Sequence, residues 1–144
     1  MSVEENKAVV RRLLDQGWNG RKMAAFDELC LPTFANHDPS TDVRDLAGLK
    51  QFAIEIVTAF PDAHIRVDEM IGEGDLVAKR WTFGGTHGGT FMGVAPTEKR
   101  VEFTGTTTYR VIGGRIVDSW WNWDALGVLK QLGAVPEMAT AGVG

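Results

Sequence analysis

The sequence predicts an α+β fold: helices laid across one face of a strongly curved, mainly antiparallel sheet. Three observations carry that expectation. Up to Pro61 the apolar residues recur with a period near 3.6, and beyond it the period is 2. Two tight turns, Glu73-Gly74-Asp75 and Gly113-Gly114, join alternating runs in the second half, as hairpins require. Finally, the run Ile116–Gly133 places three of the chain's five tryptophans, Trp120, Trp121 and Trp123, within four positions. Side chains along a strand point alternately to opposite faces, so these indoles need two layers to pack against. One of those layers can be a ligand, because a hollow lined by aromatics with a few polar groups is the usual build of a small-molecule site.

The elements follow in order. A first helix is expected over Val3–Trp18, where Val10, Leu13, Leu14, Gly17 and Trp18 keep helical spacing; Ser2 and Glu5 form a capping box, and Asn19-Gly20 ends it. Met23–Leu31 reads as a second helix that Pro32 stops, with Cys30 on its buried face as an inert thiol. Phe34–Asp38 reads as a short strand and Pro39-Ser40 as a turn. A third helix over Asp45–Ala59 presents Leu49, Phe52, Ala53 and Ile56, and Pro61-Asp62 closes it. Strands are expected over His64–Gly72, Leu76–His87, Arg100–Ile112 and Arg115–Trp123. Between Gly84 and Lys99, five glycines and one proline mark a long arm or flap. A last helix covers Ala125–Leu132. Residues 1–136 form one domain in this reading, and 137–144 a frayed tail.

Composition narrows the function. With 144 residues and a formal net charge of −4, and without a Lys/Arg run, the chain is not built for nucleic acid. No apolar run reaches the length of a membrane span. The start, MSVEENKAVV, lacks a signal-peptide layout, so a cytoplasmic protein is expected. A lone cysteine excludes an internal disulfide. No His, Asp or Glu pair has metal-ligand spacing, so no metal is expected. The glycines Gly84, Gly85, Gly88 and Gly89 lack the strand–loop–helix setting of a phosphate loop, and no Ser-His-Asp hydrolase motif is present.

In order along the chain, ENKAVVRRLLDQGWN, FANHDP, GLKQFAIEIVTAFPD, AKRWTFGGTHGGTFMGVAPTEKRVEFTG and GGRIVDSWWNWDALGVLKQLG resemble the SnoaL-like polyketide (ester) cyclase family of the nuclear transport factor 2-like superfold. The resemblance covers about Glu4 to Pro136. It implies a cone-shaped α+β barrel, commonly a homodimer joined through sheet faces, with a pocket that uses neither cofactor nor metal. Characterised cyclases of the family close a ring of an aromatic polyketide by intramolecular aldol condensation. Their last strand reads like H-R-D-W-P-D, and the first aspartate is the acid/base. Anchored on GGRIVD and LKQLG, that position is Trp121 here, and the family's pocket histidine falls at Thr107. Asn36 matches a pocket asparagine of the family.

A cyclase needs one base near neutral pKa and one or two donors for a developing enolate. His87, at the end of an inward-parity strand, and His37, in Asn36-His37-Asp38, are candidates by residue type. Each also reads as a loop histidine bonded locally, and His64 reads as solvated. Asp124, which matches the second and non-catalytic aspartate of the family stretch, is a candidate replacement carboxylate, but it also stands where a helix N-cap belongs. Asn122 reaches the pocket only through a bulge, its parity being opposite to that of Trp121. Lys79 shares the inward parity of Val77, Trp81 and Phe83; buried, it would lose its charge and serve as base or donor, whereas a snorkelling stem would reach water. Trp18, Trp81, Phe83, Phe103, Tyr109 and Trp121 are expected to wall an apolar cavity or simply to be core. Three functions fit: cyclase-like acid/base chemistry on an apolar small molecule, hydroxylation or epoxide opening in a related pocket, or binding without catalysis.

Overall fold

The structure is a computed structural model that describes residues 1–135; the tail expected to fray lies outside the described residues. Helix α1 (Val3–Arg12) starts at the expected capping box: the Ser2 hydroxyl accepts from the Glu5 amide at 3.1 Å, and the Ser2 amide donates to the Glu5 carboxylate at 3.2 Å. The helix does not run on in α geometry. Leu13–Trp18 forms a π-helical segment, with the Asn19 amide donating to the Leu14 carbonyl at 2.8 Å. The wider turn rotates Trp18 toward the sheet, and π segments of this kind are often found at functional sites. Asn19 then fixes the segment's end by a two-way bond to the Ile65 backbone.

Helix α2 (Met23–Leu29) is shorter than expected, because the chain turns extended at Cys30 to start β1 (Cys30–Asn36). Cys30 is therefore the first residue of a strand, not part of a helix face. It is fully buried, and burial, with Asp27 nearby, pushes its thiol up to about 12. Pro32 is tolerated because β1 is an edge strand whose ladder is interrupted between Cys30 and Ala35. Helix α3 (Leu46–Ala59) is capped by Asp45, whose carboxylate accepts from the Gly48 amide at 2.8 Å.

Strands β2 (His64–Glu73), β3 (Leu76–Thr86), β4 (Arg100–Ile112) and β5 (Arg115–Trp123) form an antiparallel meander. β1 joins β5 in parallel, so the five-stranded mixed sheet has the order β1-β5-β4-β3-β2 and does not close on itself. A register shift between Arg110 and Val111 leaves one extra residue of β5, Val117, unpaired, so Ile116 and Ser119 both point inward. From there parity sends Trp121 and Trp123 to the helix side and Trp120 and Asn122 to the other. Helix α4 (Ala125–Gln131) ends the described chain, with the Asp124 carboxylate capping the Gly127 amide at 2.9 Å. The arm between β3 and β4 is a folded loop rather than a hairpin. His87 and its neighbours pair backbone at its root, and Gly88 and Gly89 donate to the Ala59 carbonyl at the end of α3. Among the described residues no helix is long and apolar enough to cross a membrane.

Two apolar clusters make the interior. One gathers α1, α2, β1 and the far half of the sheet around Phe26, Tyr109 and Ile116. The other surrounds Phe60, Phe83, Phe103 and Val128. Phe52 and Trp123 touch both, and a cavity lies where the clusters meet.

Candidate active site

The cavity is about 70 Å³ and is walled mostly by rings. Eight residues singled out from the sequence line it: Trp18, Lys79, Trp81, Phe83, Phe103, Thr107, Tyr109 and Trp121. Strand parity brings most of them together. Lys79 on β3 lies directly opposite Thr107 on β4, which lies opposite Trp121 on β5, so these three form one row across the sheet. The neighbouring row is Trp81, Gly105 and Trp123. Trp81 lies flat across Gly105; a Cβ there would sit 2.3 Å from the indole Cζ2, so only glycine leaves room. The indole Nε1 then donates to the Thr107 hydroxyl at 3.0 Å. On the helix side, Trp18 meets Trp121 edge-on at 6.2 Å, and Phe52 packs on Trp121 at 5.4 Å.

Lys79 is the unusual member. It is 3 % exposed, and its Nζ stands 5.4 Å from the centre of the Tyr109 ring. Other lysines meet carboxylates, Lys7 with Glu4 and Lys50 with Asp27, but Lys79 has no hydrogen-bond or ion-pair partner among the described residues. Burial pushes its ammonium down to about 7, with Arg11 adding to the effect and Asp15 opposing it weakly. Contact with an aromatic face favours the cation, yet desolvation outweighs it here. Tyr109 is buried as well, and the same desolvation raises its phenol, so it stays protonated. Lys79 is therefore the cavity group that changes protonation near neutrality. The Thr107 hydroxyl accepts from Trp81 and stands beside the Tyr109 phenol.

Five further candidates lie outside the lining. His87 is fully buried at the root of the arm; its Nδ1 accepts from the Thr97 amide at 3.2 Å and lies 3.0 Å from the Thr97 hydroxyl, while the ring packs on Phe60. His37 is half-exposed on the opposite sheet face, where its Nε2 is 3.0 Å from Asp118 and its ring stacks on Trp120. Asp124 is the cap of α4. Asn36 is spent on structure: it donates to the Val43 carbonyl at 3.0 Å and accepts from the Ser119 hydroxyl at 2.7 Å. Asn122 is exposed beside Thr106, because the β5 bulge lies upstream of it and leaves its outward parity intact.

Five lining residues escaped the sequence reading: Phe52, Ile56, Ile65, Phe91 and Trp123. Trp123 had a signal, since it shares the parity of Trp121; Asp38 holds it, accepting from its Nε1 at 3.3 Å. Phe52 and Ile56 belong to the stripe of α3 and looked like plain core. Phe91 comes from the arm, where a lone bridge to Val94 shapes the turn, and no periodicity foretells it. Phe52 and Phe91 also line an outer groove of about 430 Å³ with Thr41, Gln51, Glu55 and Met92, so they form the wall between cavity and surface. Among the described residues, no group of three His, Cys, Asp or Glu side chains is arranged to hold a metal ion.

A helix-roofed mixed sheet around an aromatic cavity with few polar groups defines a small-molecule pocket protein of the nuclear transport factor 2-like fold. Residues 8–132 match the SnoaL-like polyketide cyclase model, and the chain belongs to that family. Solved structures agree. AclR from Streptomyces galilaeus, a candidate hydroxylase, is 27% identical, with 99% of this chain and 93% of that one aligned at a TM-score of 0.85. IdmH from Streptomyces antibioticus, a candidate polyketide cyclase, is 32% identical over 89% of this chain and 98% of its own, at 0.79. A candidate SnoaL-like polyketide cyclase from Jannaschia sp. CCS1 is 25% identical over 92% and 94%, at 0.83. No curated protein sequence matches the chain.

Proposed function

We propose that this protein is an enzyme acting on an apolar, carbonyl-bearing small molecule by cyclase-type proton transfer, with Lys79 as its reactive group. The observation that supports this most is the row Lys79–Thr107–Trp121. Where the resemblance sets a carboxylate there is an indole, and two strands away the same row offers an amine instead. A proton flanked by two carbonyls is already acidic, so a neutral amine is base enough, and a hydroxyl donor can meet the developing enolate oxygen. Thr107, fixed by Trp81, is that donor. The ring-lined walls exclude water and select flat, apolar substrates. The reaction so described requires no redox group.

The test is turnover of an anthracycline-type methyl ester and of simpler aryl 1,3-dicarbonyl esters by wild type and Lys79→Met. Ring closure or α-proton exchange by wild type, lost in the variant, supports the reading. Equal exchange by both, or tight binding without exchange, overturns it, the latter in favour of a binder.

The likeness to AclR favours a second reading. The same deprotonated substrate, if electron-rich enough, can be captured by dioxygen. Oxygen uptake in step with product formation would select that outcome over ring closure.

A further inference from the structure

A base that takes a proton in this cavity becomes an ammonium, and among the described residues no carboxylate is hydrogen-bonded or ion-paired to Lys79, Asp15 acting on it only through its field. Carbon–nitrogen bond formation avoids that charge. We propose that Lys79 captures its carbonyl substrate covalently, as an imine of Nζ. The inference rests on the reading above that the substrate carries a carbonyl, and it assigns a different role to the same nitrogen.

Three features carry it. Lys79 sits in the interior of β3, between β2 and β4, so its stem is anchored on rigid backbone. Its Nζ is held over the Tyr109 ring, and the residue is buried in the cavity lining. Thr107 is its direct cross-strand partner, within the roughly 4.5–5.5 Å Cβ spacing of such pairs. The Nζ lone pair attacks the carbonyl carbon, and the oxygen takes up a proton to give a carbinolamine. Thr107 donates a hydrogen bond to that oxygen, which leaves as water carrying two protons that were on nitrogen, and the C=N bond forms. A proton on the adjacent carbon then moves to nitrogen, with the released water as carrier. The product is a neutral enamine, whose carbon can attack a second carbonyl. The carbinolamine, the imine and the enamine are each uncharged, which is what an aromatic box tolerates.

The experiment uses the whole chain and pentane-2,4-dione, a probe small enough to pass the Phe52–Phe91 wall. Enaminone absorbance in the near ultraviolet, and peptide mapping by mass spectrometry after cyanoborohydride treatment with a simple aldehyde, locate the adduct. The expected result is a single adduct at Lys79, formed at least tenfold faster than at exposed lysines and rising as pH passes through neutrality. Lys79→Met and Lys79→Gln, checked for native circular dichroism, should show none. Absence of an adduct from wild type, or labelling of all lysines alike, overturns the imine. If Lys79→Met nonetheless loses turnover, the proton-transfer reading survives that failure; if the variant keeps turnover, both fall.

Discussion

Neighbouring residues of β4 set up the same pairing on opposite sides of the sheet, with different consequences. Inward, the Lys79 amine stands 5.4 Å from the Tyr109 ring. Outward, the Arg110 guanidinium stands 5.8 Å from the Trp120 ring. The outer cation is closed into a network: Arg110 meets both oxygens of Asp75 at 3.1 Å and Asp118 at 3.5 Å, and Asp118 also meets His37 at 3.0 Å. The inner cation has no such partner among the described residues. An arginine cannot shed its proton, so it needs its carboxylates; a lysine can, so it survives in an apolar box by becoming neutral. The outer pair is structural, the inner one is reactive in the function proposed above, and the missing counter-charge is what separates them.

The sharpest way to break this comparison is Lys79→Met. Turnover should fall by about 10²–10⁴-fold, the usual contribution of a positioned acid/base or nucleophile. The protein should at the same time become more stable. The lowered folded-state value means that below pH 7 both states hold the proton and the native state carries the full cost of a buried ammonium. Between about 7 and 10.5 the unfolded chain binds a proton that the native one does not, so wild-type stability rises with pH across that window. Thermal unfolding should therefore show the variant ahead by roughly 10 °C at pH 6, a gap that shrinks toward pH 10.5. No gap at pH 6 would mean that the amine finds a partner after all.

Wild-type kcat/KM should climb through about pH 7 as the amine loses its proton; a flat profile would remove Lys79 from the chemistry. Gly105→Ala comes next: the added methyl displaces Trp81 and its bond to Thr107, costing about 1–3 kcal/mol in denaturant unfolding. Ser119→Ala leaves the Asn36 carbonyl oxygen unpaired in the interior, which should cost about 1–3 kcal/mol by the same measurement. Smallest is Arg110→Gln on the outer face. Its loss should stay below about 1 kcal/mol and fade with added salt, with turnover retained.

Much of this was legible in the residues. Strand alternation placed Lys79, Trp81 and Tyr109 inward, the family resemblance placed Thr107 and Trp121 in the pocket, and β4 and β5 begin and end where their patterns do. The capping residues Ser2 and Asp124 were readable because a cap is a local bond between near neighbours. What escaped was set by packing at a distance. Nothing in Leu-Leu-Asp-Gln-Gly-Trp announces a π turn, and the change from helix to strand at Cys30 is enforced by pairing with Ile116. The histidines drew attention through their ordinary pKa, yet location decides what a side chain can reach. The Thr97 backbone claims His87, and Asp118 claims His37.

The parallel seam between β1 and β5 has a consequence for how the protein is made. Cys30, Ala35 and Asn36 find their ladder partners at Ile116, Asp118 and Ser119, near the opposite end of the polypeptide. On a translating ribosome the first strand emerges early and must wait, unpaired, for the last. Contacts of such separation slow folding and prolong the exposure of sticky segments. The Pro32 interruption in that waiting edge is a safeguard, since a strand lacking one of its amides is a poor template for a neighbouring nascent chain.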